Sequence, residues 1–149
     1  MMAAKKPAHE TLVIRRSFAV PPGAVWRAWI EAAAIRDWFG QVESPGWQAE
    51  MDVRVGGGFR ILMTDAKGEE FDLTGVYREV VPERKLVMTW GWKNQPGQES
   101  LVTVNFRPLN QGTQLELRHD QYVDMENQPT HEQGWNGALD KLGQHLEQA

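Results

Sequence analysis

The chain has no cysteine. That excludes disulfides, thiol nucleophiles and cysteine-ligated metals, and it fits a reducing compartment, so a cytoplasmic location is expected. Long apolar runs are missing too: nothing approaches the roughly 20 residues that span a bilayer. The N-terminal MMAAKKPAHE carries two lysines but no apolar core, so neither a signal peptide nor membrane insertion is expected. There is no basic excess. Lys and Arg total 16 against 20 Asp and Glu, giving a formal charge of -4. That argues against a nucleic-acid partner. Histidine is scarce and scattered over His9, His119, His131 and His145. His131 and His145 would lie about four turns apart on one helix, too far to share an ion, and no HExxH spacing exists. The expected metals and cofactors are none. Gly56-Gly57-Gly58 precedes an alternating strand rather than a helix, so it reads as a hairpin turn and not a phosphate loop.

What the chain does have is tryptophan, seven in 149 residues. The length suits one domain, and 41% hydrophobic with 24% charged residues is ordinary for a globular protein. Residues 1–9 read as a tail and 10–149 as the domain. A first strand is expected from Thr11 to Val20, stopped by Pro21-Pro22. Two short helices follow, over Pro22–Ile30 and Ala32–Trp38. From Trp47 the period becomes two. Ala49, Met51, Val53 and Val55 share one face, and strands follow over Phe59–Met63, Phe71–Val81, Arg84–Trp92, Glu99–Arg107 and Thr113–Asp120. Turns are expected at Asp65–Glu70, Lys93–Gln98 and Asn110-Gln111-Gly112, and a loop at Tyr122–Pro129. His131–Leu146 closes the chain as an amphipathic helix, with Trp135, Leu139, Leu142 and Leu146 on one stripe. Consecutive strands imply an antiparallel meander. The expected class is α+β: a curved antiparallel sheet wrapped around a long C-terminal helix, with two short helices after the first strand.

Phe59, Met63, Phe71, Tyr77, Met88, Trp90, Trp92 and Phe106 of the strands can converge with Trp135 and Leu139 of the last helix between sheet and helix. Aromatic and methionine walls with one or two polar groups suit an apolar ligand of drug size; the opposite outcome is a filled core. Arg16 and His119 share the inward parity. Inward, Arg16 needs a partner, either an acidic side chain of the fold or an anionic ligand head. His119 reads as a satisfied core group, a ligand contact or, with a second positioned group, a base; no such second group is visible. Asp52 and Arg54 read as a solvated surface pair.

Five blocks carry a family resemblance: RRSFAVPPGAVWRAWIEAAAIRDWFG (15–40), DVRVGGGFRI (52–61), GVYREVVPERKLVMTWGW (75–92), ESLVTVNFRPLNQGTQLELRH (99–119) and HEQGWNGALDKLGQHL (131–146). Together they resemble the START-like SRPBCC superfamily, in the branch similar to the C-terminal domain of the activator of heat-shock-protein-90 ATPase. The resemblance implies the helix-grip fold and, for many superfamily members, binding of hydrophobic small molecules. It implies a role in stress response or detoxification for small members. It transfers no catalytic residue set.

Three functions follow as expectations. The first is a binding protein for a hydrophobic, aromatic or lipid-like small molecule, walled by the residues above. The second is a cyclase- or hydrolase-like enzyme using His119 and Arg16. The third is a chaperone-interacting module or a weak homodimer, docking through an exposed apolar patch at Trp38, Phe39 and Trp47.

Overall fold

The computed structural model describes residues 8–40, 47–65, 67–93, 99–123 and 128–147. Among them, seven strands form one antiparallel sheet: β1 (Ala8–Phe18), β2 (Gln48–Met51), β3 (Gly58–Thr64), β4 (Glu70–Val81), β5 (Lys85–Trp92), β6 (Ser100–Leu109) and β7 (Gly112–Val123). The order is β1-β7-β6-β5-β4-β3-β2, so β1 and β2 are the two edges of a curved, unclosed sheet. Helices α1 (Pro22–Ile30) and α2 (Ala32–Trp38) follow β1, and α3 (Gln128–Glu147) ends the chain. None of these helices is long and apolar enough to cross a membrane.

Local chemistry explains the elements. Alternation buries Phe59, Ile61 and Met63 of β3, Val102, Val104 and Phe106 of β6, and Leu115, Leu117 and His119 of β7. Pro22 opens α1, where a missing N–H is harmless, and Val25, Trp26, Ala28 and Trp29 turn inward. Asn110 takes φ 56° in the two-residue link between Leu109 and Gly112, a conformation asparagine tolerates. Glu83 adopts φ 64° in the β4–β5 turn.

α3 lies in the grip of the sheet with Trp135, Ala138, Leu139, Leu142 and Leu146 buried. Polar clamps fix it. Arg16 of β1 donates to Asp140 Oδ1 at 2.7 Å and to Asn136 Oδ1 at 2.9 Å. Lys141 donates to the Gly40 carbonyl at 2.5 Å, and His145 Nδ1 lies 3.3 Å from Asp37 of α2.

Several expected boundaries move. β1 spans Ala8–Phe18 instead of Thr11–Val20, because its register with β7 runs from Ala8–Val123 to Phe18–Thr113. β2 stops at Met51. Asp52 then accepts from Arg54 and donates to Gly58 along the backbone, and this turn leaves Val55 64% exposed. The loop expected over Tyr122–Pro129 is replaced at its ends by strand to Val123 and helix from Gln128. Its centre, 124–127, lies outside the described residues, as do positions 1–7 of the expected tail and 94–98 of the expected turn.

Candidate functional site

The interior between sheet and α3 is a continuous aromatic cluster, built by strands that present alternate residues and by α3. Trp90 of β5 is its centre. Its ring centroid lies 5.2 Å from Trp135, 5.6 Å from Phe39, 5.8 Å from Phe59 and 6.2 Å from His119. Phe59 continues to Tyr77 at 5.6 Å. Trp135 continues to Trp29 at 6.2 Å, and Trp29 to Trp38 at 4.7 Å. Gly75 lets Phe59 lie flat across β4: a Cβ there would meet the Phe59 ring at 2.4 Å.

His119 braces this cluster. The Trp135 indole N–H donates to its Nδ1 at 3.0 Å. Nδ1 is therefore an acceptor, which places the proton of the neutral ring on Nε2, 2.7 Å from Ser100 Oγ. Ser100 in turn donates to the Trp90 carbonyl at 3.2 Å. One relay thus ties α3, β7, β6 and β5. Both ring nitrogens of His119 are engaged inside the protein.

Three buried donors have no partner among the described residues: the Tyr77 hydroxyl, the Trp29 indole N–H and the Trp47 indole N–H. Burial, with the Asp52 charge as a smaller contribution, pushes the Tyr77 phenol well above its ordinary value of 10.0. It stays a neutral donor at all physiological pH. The described residues bring no three His, Asp or Glu side chains together as a metal cage.

Of the expected wall, Phe59, Met63, Tyr77, Met88, Trp90, Phe106, His119, Trp135 and Leu139 are buried, while Phe71 and Trp92 are partly buried against the core. Phe106 stands apart from the Trp90 group and packs on Trp26 of α1 at 5.4 Å. Arg16 pairs with α3, so its partner is an acidic side chain of the fold. The expected surface patch is overturned. Trp38 at the end of α2, Phe39 just after it and Trp47 just before β2 are all buried, and the Trp38 N–H donates to the Ala28 carbonyl of α1 at 2.9 Å. Trp29, Trp38 and Phe39 therefore belong to the interior cluster. The one early signal was their position on the apolar faces of two helices too short to stand alone.

A curved antiparallel sheet gripping one long helix, with an aromatic interior between them, defines a START-like helix-grip protein. The chain belongs to the family described as Activator of Hsp90 ATPase homolog 1-like protein, whose model matches residues 19–147. Solved structures of similar fold include protein CV1439 from Chromobacterium violaceum, 25% identical with TM-score 0.81, covering 92% of this chain and 96% of that one. Mll3558 from Rhizobium loti is 27% identical with TM-score 0.80 over 93% and 97% of the two chains. CalU16 from Micromonospora echinospora is 26% identical with TM-score 0.73 over 93% and 76%. No curated protein matches the sequence.

Proposed function

We propose that the interior between the sheet and α3 takes up a hydrophobic or aromatic small molecule bearing a hydrogen-bond acceptor. The observation that carries this reading is the unpartnered Tyr77 hydroxyl, 1% exposed at one end of the ring cluster. An orphaned buried polar group costs about 1–3 kcal/mol. An acceptor on a ligand removes that cost, and the surrounding rings supply apolar contact. Trp29 adds a second unpartnered donor beyond Trp135. Trp135 is the ring that must swing to admit a guest. It contacts both Trp29 and Trp90 and is tethered by one indole hydrogen bond to His119.

The chaperone-module reading ranks second. It rests on the family description, and the residues expected to form its docking patch are buried.

The test begins with native mass spectrometry after incubation with a lipid and metabolite extract, followed by titration of the captured molecule. A retained small molecule is expected, with affinity about tenfold weaker in Tyr77→Phe, matching one hydrogen bond of about 1.4 kcal/mol. A bare mass after incubation would count against uptake. Equal affinity in Tyr77→Phe would remove the assigned anchor.

A further inference from the structure

The opposite, outward face of the sheet carries a second feature that the aromatic interior does not explain. A groove of about 520 Å³ lies over β1, β7 and β6, lined by Arg15, Arg84, Asn105, Arg107, Gln114 and Glu116 among others. Register builds it. Arg15 stands opposite Glu116, and Glu116 opposite Asn105; one row further on, Gln114 stands opposite Arg107. The β4–β5 turn closes one end, because the Phe106 N–H donates to the Arg84 carbonyl at 2.8 Å and holds that residue against β6.

The charge balance is what matters. The chain as a whole carries -4. Here three guanidiniums surround one carboxylate. Glu116 is already neutralised, by Arg15 at 3.0 Å and by Arg118 at 4.0 Å from beside the groove. Arg84 and Arg107 have no ion pair or side-chain hydrogen bond among the described residues. Two unpaired planar forks therefore flank two neutral carboxamides, those of Asn105 and Gln114. That donor set matches a compact multivalent oxyanion: guanidinium binds such oxygens bidentately, and the amides add neutral N–H donors without repelling it.

We propose that this groove binds the phosphoryl group of a small phosphate ester or pyrophosphate. A long acidic polymer fits less well. Its track would have to extend past the edge strand β1 on one side and past the Glu79–Lys85 pair, 3.4 Å apart, on the other. The proposal is independent of the interior site, since the sheet separates the two.

Inorganic pyrophosphate, titrated at constant ionic strength and followed by amide and arginine side-chain NMR, tests it on the whole chain. The expected result is saturable shifts centred on Arg84, Asn105, Arg107 and Gln114. Arg84→Gln and Arg107→Gln should each weaken binding at least tenfold. Arg78→Gln, an exposed arginine of β4 outside the groove, should leave it unchanged. All three positions are exposed, so folding is retained and the amide spectrum checks it. Non-saturating shifts spread over the surface basic residues, equal weakening by Arg78→Gln, or tighter binding of a polyglutamate peptide than of pyrophosphate would each overturn the assignment.

Discussion

Single residues in this core are held by contacts that can be probed one atom at a time. Removing the Tyr77 hydroxyl deletes a donor that nothing described satisfies, so Tyr77→Phe should leave the ligand-free protein unchanged or about 1 kcal/mol more stable in urea at neutral pH. Alkali sharpens the test. The folded phenol resists ionisation while the unfolded one ionises near 10.0, so stability is complete below that pH and declines above it. Wild type should lose stability between neutral pH and about pH 11 relative to Tyr77→Phe; parallel curves would mean the hydroxyl is not buried. Gly75 is constrained for a different reason. Its added Cβ would stand 2.0 Å from the Thr89 carbonyl and 2.4 Å from the Phe59 ring, and the carbonyl cannot move without breaking the sheet. Gly75→Ala should cost about 2–3 kcal/mol. Gly91→Ala on the neighbouring strand is the matched control, because a Cβ there would come no nearer than 3.9 Å, to the Thr74 carbonyl. Equal unfolding midpoints for the two variants would contradict the close approach of Phe59.

Between elements, the same logic applies to the clamps on α3 and to the outer ladder. Arg16 lies half inside the molecule and reaches α3 through Asp140 and Asn136. Its partner Asp140 is mostly exposed, so the ion pair itself adds little; the guanidinium chiefly fixes where α3 lies. Arg16→Met should therefore speed hydrogen exchange along α3 several-fold while barely moving the global unfolding midpoint. Uniform faster exchange across the sheet would contradict a local clamp. On the outward face, Arg60 of β3 holds Asp72 of β4 through two hydrogen bonds of 3.0 and 2.8 Å. The bond to Arg60 holds the Asp72 carboxyl below its ordinary range. A lowered folded value means the pair stabilises above the unfolded value and is lost as pH falls through the folded one. Asp72→Asn should thus be less stable than wild type at pH 7, and the two should converge as the solution is acidified below the usual carboxylate range. A gap that persists in acid would rule out the charge as its source.

At the scale of the whole molecule, the fold was largely legible because two periodicities run cleanly through the chain. The stripe of Trp135, Leu139, Leu142 and Leu146 marks α3, and the alternation of Val102, Val104 and Phe106 against Leu115, Leu117 and His119 marks the central strands. Inward parity alone told that Arg16 and His119 needed partners. It could not name them, since Asp140 is 124 residues from Arg16 in the chain. Val53 and Val55 alternate as a strand does, yet the backbone turn at Asp52 ends the ladder first. Trp38 and Phe39 looked available because α2 alone is too short to show which way it will be folded. The orphaned donors were equally unreadable: burial without a partner is a property of the assembled core. That assembly has one knot where four elements meet, the relay from Trp135 through His119 and Ser100 to the Trp90 carbonyl. If it acts as a unit, its members cannot be removed independently. His119→Leu strands the Trp135 N–H, and Trp135→Phe strands His119 Nδ1, so each should cost about 2–3 kcal/mol, part of it the penalty of an unpaired buried group. The double variant has no unpaired indole or imidazole left to penalise. It should therefore be more stable than the sum of the single losses by about 1 kcal/mol or more, read from urea unfolding as a double-mutant cycle. Strict additivity would mean that the bond to His119 contributes nothing to where Trp135 sits.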